Sequence, residues 1–500
     1  MKRKQFQFYP FLLASFPVLS LMANNKFEVR LVVVVRPLLI SIVLALFLYL
    51  LFFLVLKKNF HKAALMTGFT QFLIFSYGHI LNVLETMPFL NESFVRHRYI
   101  VLLFGLMWLI VLVLSLLKEV KADFSKLMSI FSVVLVLIPI VQIIWFYFGE
   151  IIVSNWAAKD QEKDSEYLMD INYSPDVYYI ILDMYARPDV LLEEHGINVR
   201  DFVDEMEALG FYYADDSQSN YGETFTSISS ALNLNLLDVY LPENEIPLGG
   251  SKYDDLIIHN ETRNIFESFE YQIIAFSSGY RWSELSDADI YYQIKSTNNL
   301  RALTPFELML FKTTIIYPFR GHLFNMLPVI DIDAGGANIT QNLHIEAQRN
   351  VLEILPEIPE NTNPSFTFAH VLIPHPPFVF DEDGSILQDP GYFSGDKASA
   401  INDFYDLDGY KRQVKFISQK ILSISKEILD ESDAPPIIVI QADHGWKNED
   451  RHKILNLYYF PGENYGMLYP SITPVNTFRV IFNQFFNLDF DLVEDRIIQQ

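Results

Sequence analysis

Four long, nearly uncharged apolar stretches occupy the first third of this chain, at residues 37–56, 63–84, 99–117 and 127–149, and they constrain its fold more than any other feature. Each is long enough to cross ~30 Å of hydrocarbon at about 1.5 Å per residue, where a backbone satisfies its own hydrogen bonds only as a helix or a closed barrel. They predict membrane-spanning helices. A shorter apolar stretch, residues 8–23, follows Lys2, Arg3 and Lys4 as a signal-peptide core would. Asn24, Asn25 and Lys26 come next without a clear small-residue cleavage pattern, so the stretch is read as a retained fifth span. Positive residues favour the cytoplasmic side. With the N-terminus inside, the inner segments hold Lys2, Arg3, Lys4, Lys57, Lys58, Lys62, Lys118, Lys121 and Lys126. The outer loops hold fewer, among them Lys26, Arg30, Arg96 and Arg98, which puts everything beyond Gly149 outside the cytoplasm.

Beyond residue 150 the balance of charge reverses, with 23 Lys and Arg against 55 Asp and Glu. Such an acidic surface repels phosphate backbones and argues against nucleic acid as a partner. The chain has no cysteine, which removes disulfides, thiolate metal sites and cysteine nucleophiles. Any metal here is therefore held by oxygen and imidazole.

Residues 1–152 are read as a polytopic anchor and 153–174, polar and acidic, as a linker. From residue 175 short apolar runs alternate with amphipathic stretches, the pattern of an α/β domain. Residues 177–182, 271–276, 366–372 and 437–441 suit buried strands, and Val414, Ile417, Ile421, Ile424 and Ile428 form one helical stripe. The expected fold class is α/β: an N-terminal transmembrane bundle of about five helices, then over 175–500 a central, mostly parallel sheet with helices on both faces. Three of the strands lead into chemistry-bearing residues: Asp183 after the first, His370 and then His375 on and after the third, Asp443 and His444 after the fourth. In open α/β sheets ligands gather beyond the carboxyl ends of the strands, so these groups can converge on one divalent cation.

The runs DVYYIILDMYAR (176–187), SNYGETFTSISSALN (219–233), FAHVLIPHPPF (368–378) and QADHGW (441–446), in this order, resemble the sulfatase-like membrane proteins of the alkaline phosphatase superfamily, among them lipoteichoic acid synthases and phosphoethanolamine transferases. The resemblance extends over the multi-span front and through residues 451–462 and 471–483. It implies an alkaline-phosphatase-like catalytic domain in which Asp183, Thr224, Asp443 and His444 hold a divalent metal ion and Thr224 is also the nucleophile. An oxygen-rich site with one nitrogen favours Zn or Mn, with Mg possible. A threonine hydroxyl is a poor nucleophile at neutral pH and needs such activation. Thr224 also stands at the predicted start of a helix over 225–236, whose positive end favours an alkoxide and an anionic ester.

By the same resemblance His370 and His375 contact substrate or a second metal, Arg451, His452 and Lys447 hold the substrate's phosphate, and Asn220 and Arg187 line the pocket. The implied activity moves a phospho-alcohol head group from a membrane lipid donor to a glycan or lipid acceptor. The alternatives are a membrane-anchored phosphodiesterase or sulfatase-like hydrolase that releases the group to water, and a catalytically silent envelope scaffold. The chain departs from the strict sulfatase pattern, since it has no cysteine and no Pro or Arg follows Thr224 at the required spacing. Taken singly, Asp183 or Thr224 is more often a helix cap or turn former; the joint occurrence of four ligand types in order points to a metal site. Asp331-Ile332-Asp333 has the Asp-x-Asp spacing of some glycosyltransferases but precedes a Gly-Gly turn and is read as a loop.

Overall fold

The computed structural model describes residues 6–26, 31–85, 87, 96–160, 174–239, 256–278, 283, 285–293, 304–319, 336–360, 363–387, 406–446 and 450–498. Lys2, Arg3, Lys4, Arg30, Lys447 and the Asp331-Ile332-Asp333 motif lie outside the described residues. The chain divides into two compact units, Met1–Ile152 with Asn299–Gly336, and Val153–Asn298 with Ala337–Gln500.

In chain order the helices are α1 (Tyr9–Asn24), α2 (Val35–Val55), α3 (Phe60–Glu85), α4 (His97–Leu117), α5 (Ala122–Asp160), α6 (Pro188–Glu193), α7 (Arg200–Ala208), α8 (Thr224–Leu232), α9 (Glu261–Ser268), α10 (Pro305–Lys312), α11 (Gly336–Ile354), α12 (Leu407–Glu431) and α13 (Pro474–Phe485). The strands are β1 (Val177–Leu182), β2 (Tyr212–Tyr213), β3 (Gln272–Phe276), β4 (Ile290–Tyr292), β5 (Ser365–Val371), β6 (Ile437–Gln441) and β7 (Asn456–Tyr459).

In the first unit, α2, α4 and residues 122–147 of α5 are long and apolar enough to cross a membrane. α1 is a shorter apolar helix of 16 residues. α3 has 26 residues but carries Thr67, Gln71, Ser76 and His79, which lower its mean hydropathy. α1 and α3 pack closely because Gly68 has no side chain, and a Cβ there would meet Leu13 at 3.1 Å. α10 belongs to this unit. Its Glu307 side chain, buried and held by the Thr304 amide in a capping box, pairs with Arg36 of α2. Gly78 donates its N–H to Thr313 O at 2.8 Å and Ile315 donates to Ile74 O at 2.9 Å, so the chain after α10 lies across one turn of α3.

The second unit is built on a seven-stranded sheet in the order β2-β7-β6-β1-β5-β3-β4. β6, β1, β5, β3 and β4 run parallel, while β7 is antiparallel to both β6 and β2. The sheet is mixed, with a parallel centre. β1, β5 and β6 are buried along their whole length, which is why they read as continuous apolar runs instead of alternating ones. One face packs on α12, whose Val414, Ile417, Ile421, Ile424 and Ile428 are all buried with Ile180, Leu182 and Ile440. The opposite face packs on α8, α9 and α13 through Tyr179, Phe366, Phe266 and Phe478.

Candidate metal centre

Register brings the central residues together. Ile181 pairs with Gln441 of β6 on one side and His370 of β5 on the other, so Asp183 and Asp443, each two residues farther on, leave adjacent strands at the same level. The turn after β1 is fixed from both sides. Asp183 donates its amide to Val371 O at 2.9 Å, and Met184 follows at φ 69°, a left-handed conformation that branched residues avoid. Tyr410 of α12 donates its hydroxyl to Met184 O at 2.8 Å and accepts from the Ala186 amide at 3.2 Å, while its ring stacks on Trp446 at 4.3 Å. β6 is anchored by Gln441, which accepts from Tyr179 and donates to Asn456 and Thr477 inside the core.

Asp183, Asp443 and His444 are buried, and each offers one ligand atom within 4.8 Å of the other two. Asp443 Oδ1 accepts the amides of Met184 at 3.0 Å and His444 at 2.8 Å, which turns Oδ2 toward the centre. His444 donates Nδ1–H to Gly445 O at 2.8 Å, so its lone pair lies on Nε2. That nitrogen stands 3.8 Å from Asp183 Oδ1, 3.6 Å from Asp443 Oδ2 and 3.2 Å from Thr224 Oγ1. Asp183 Oδ1 and Asp443 Oδ2 are buried without a hydrogen-bond partner. Buried carboxylate oxygens left unpaired in this way cost several kcal/mol unless a cation compensates them. The donor set therefore fits a divalent metal ion of ordinary nitrogen and oxygen preference.

Thr224 opens α8, which ends at Leu232, four residues before the predicted end; Leu234 then turns the chain at φ 56° and a short 3-10 turn follows. Arg451 fastens the turn ahead of the helix, donating Nε to Gly222 O and pairing Nη2 with Glu223 at 3.2 Å. His452 donates Nδ1–H to Ser219 O at 3.0 Å, and its Nε2 stands 3.6 Å from where a Cβ on Gly222 would be. Burial, then Arg451 and His444, lowers the His452 pKa.

The other residues named from sequence take distinct positions. His370, buried within β5, places Nε2 3.5 Å from Asp183 Oδ2, beside the carboxylate and away from solvent. His375 lies in a loop held by Gln413 of α12, which accepts from the Val379 and Phe380 amides and donates to Pro374 O and His375 O. Burial works to raise the Asp183 carboxyl, but His375, His370 and His444 hold it well below the usual carboxylate range. Asn220 is committed to the scaffold, donating to Arg496 O at 3.0 Å and accepting from the Val475 amide at 3.1 Å. Arg187 is likewise saturated by Asp189 at 2.7 Å and Asp216 at 2.9 Å.

Sequence reasoning missed His344 on α11. Burial and then His375 push its imidazole down to about 4, with Asp183 opposing. One turn farther along, Gln348 accepts the Leu372 amide at 2.7 Å. A His and a Gln spaced i, i+4 beside the buried Ile345, Val351 and Leu352 were the signal available.

No family model matches the sequence, and no curated protein matches it. Solved structures do. The C-terminal periplasmic domain of EptC from Escherichia coli, in complex with Zn, is similar at 12% identity and a TM-score of 0.39, over 64% of this chain and 84% of that one. The integral membrane lipooligosaccharide phosphoethanolamine transferase A (EptA) from Neisseria meningitidis is similar at 11% identity and a TM-score of 0.39, over 96% and 94% of the two chains. The lipoteichoic acid synthase LtaP from Listeria monocytogenes gives 13% identity and a TM-score of 0.39, over 66% and 76%. Phosphoethanolamine transferases and a lipoteichoic acid synthase are thus among its structural neighbours.

Proposed function

We propose that the chain is a membrane-anchored enzyme that cleaves a phosphoester through Thr224 and passes the phospho-alcohol group from a membrane lipid to a glycan or lipid acceptor outside the cytoplasm. One observation carries the reading: two unpaired, buried carboxylate oxygens, of Asp183 and Asp443, face the His444 nitrogen to which the Thr224 hydroxyl is hydrogen-bonded. The substrate class and the acceptor come from the sequence resemblance, and the outward placement from the Lys and Arg count of the short loops.

Asp183, Asp443, His444 and Thr224 would hold a divalent ion, Zn or Mn best suited, which when bound favours the Thr224 alkoxide and neutralises charge on the phosphoryl oxygens. The residues themselves orient the reaction. His444 Nε2, the nitrogen left with a lone pair by the Gly445 contact, would be taken by the ion, so the Thr224 proton leaves through solvent and a proton from solvent ends on the departing lipid oxygen. Thr224 Oγ1 then forms a bond to phosphorus as the bond from phosphorus to the lipid oxygen breaks, leaving a diacylglycerol and a phosphothreonine ester. The positive end of α8, which Thr224 opens, favours the anionic ester there. An acceptor hydroxyl repeats the displacement, gives up its proton and returns Thr224. Arg451 keeps the turn ahead of Thr224 in place throughout.

Purified full-length protein incubated with head-group-labelled phosphatidylglycerol or phosphatidylethanolamine tests the reading. Label is expected on Thr224 after acid quench, diacylglycerol is expected as co-product, and Thr224→Ala should abolish both. Turnover undiminished in Thr224→Ala would overturn it. Release of label to water that membrane glycans do not divert would make the enzyme a hydrolase.

A further inference from the structure

Inside a helical bundle in lipid, water does not satisfy stray polar groups, so a buried amide with no partner marks a place where something else binds. Gln71 of α3 is 1% exposed, yet neither its amide nitrogen nor its amide oxygen has a hydrogen-bond partner. The same is true of the buried Ser76 and Tyr9 hydroxyls. All three line one cavity of about 490 Å³ within the first unit, bounded by α1, α3, α5 and α10.

The cavity is long. Its lining runs from Leu65 to His79 on α3 and from Tyr9 to Asn24 on α1, roughly 20 Å of helix at 1.5 Å per residue. Tyr9 packs with Ala63 and Met66 and, farther along, Val18 and Met22 pack with Phe75, so the two helices run side by side in the same direction. Leu13, Leu65, Phe124 and Met128 make one end mostly apolar, with the Tyr9 hydroxyl among them, while Ser20, Asn24, Ser76 and His79 gather toward the other. Among the described residues no Lys, Arg, Asp or Glu lines it.

This combination selects an occupant. Water alone does not fill a long apolar cavity. A phosphate would be buried without a countercharge, which costs far more than the nearby hydroxyls return. We infer that the cavity binds one acyl chain of an uncharged glycerolipid, with its ester carbonyl and free hydroxyl meeting the donor and acceptor ends of the Gln71 amide near Ser76. The inference is independent of the chemistry at Thr224, because every residue it uses lies in the first unit.

Full-length protein in nanodiscs is photolabelled with a diacylglycerol or a phosphatidylglycerol carrying the same photoactivatable chain, and the labelled peptides are mapped by mass spectrometry. Diacylglycerol is expected to label peptides of α1 and α3. Gln71→Leu, which removes the hydrogen bonds at little change in volume, is expected to reduce that labelling about fivefold, the equivalent of roughly 1 kcal/mol. Ser20→Phe, which fills the polar end, is expected to abolish it. Leu102→Phe on the exposed side of α4 should leave it unchanged, and so should Thr224→Ala. Equal labelling by phosphatidylglycerol of the Thr224→Ala chain, which does not convert that probe to diacylglycerol, or labelling unaffected in a folded Gln71→Leu chain, would overturn the inference; Gln71→Leu decides alone should Ser20→Phe fail to fold.

Discussion

Replacing Asp443 with Asn separates a metal ligand from a structural anchor, because the two roles change stability in opposite directions. Asp443 Oδ1 accepts two backbone amides, at 3.0 and 2.8 Å, and an Asn side chain offers its own Oδ1 to both. What changes is the atom facing Asp183. The facing carboxylate oxygens lie within 4.8 Å of one another, and at an effective dielectric of about 20 two unit charges at that separation repel by about 3.5 kcal/mol. In protein stripped by a chelator, Asp443→Asn removes this repulsion. For a domain of this size that raises the melting temperature by roughly 5–10 °C. With metal the order reverses. The wild type gains about 2.7 kcal/mol at 100 times the dissociation constant, whereas the variant gains little. Differential scanning calorimetry of both chains, with chelator and across a Zn series, reads the two effects. A metal-free variant that melts below the wild type, or equal stabilisation of both by Zn, would refute the reasoning.

Other substitutions probe the surroundings. His370→Leu removes the imidazole beside Asp183 Oδ2 and is expected to weaken metal binding about 10- to 100-fold by calorimetric titration, with partial rescue by Gln; unchanged affinity would release His370 from that role. Gly445→Ala puts a Cβ 2.8 Å from Asp450 O and 2.9 Å from Lys453 O. The displaced backbone is expected to cost about 1–3 kcal/mol in thermal unfolding and to misplace His444; a neutral result would show that the loop yields freely. Arg187→Leu leaves two solvent-exposed carboxylates unpaired, so stability should fall by about 1 kcal/mol or less with KM unchanged. A tenfold rise in KM at unaltered stability would return Arg187 to the substrate pocket.

The buried centre of the second unit was legible in the sequence because a parallel strand covered on both faces leaves an uninterrupted apolar run. Residues 177–182 and 437–441 coincide with β1 and β6 as read, and the other two central strands differ by one residue at their ends. The residues following β1 and β6 stood out for the same reason, since a carboxylate or imidazole directly after such a run needs compensation. β2, β4 and β7 were not visible. They are two to four residues long and lie toward the sheet edges, where Tyr-rich runs carry no clear period. α10 also escaped, because nothing local in residues 305–312 says that Glu307 will pair with Arg36, 271 residues earlier. Motif spacing gave His370, Asn220 and Arg187 a place in the constellation but not their partners. Hydrogen bonding decides that Asn220 ties down the C-terminal segment and that His370 faces a carboxylate.

Crystals of the Val153–Gln500 region or of the full chain, grown with Zn and measured on both sides of its absorption edge, test the central claim most directly. The account predicts one anomalous peak ~2.0–2.2 Å from Asp183 Oδ1, Asp443 Oδ2 and His444 Nε2, with Thr224 Oγ1 completing the set. A fully soaked crystal with no peak between those atoms, or with the metal held elsewhere while Thr224 stays bonded to His444, would contradict it.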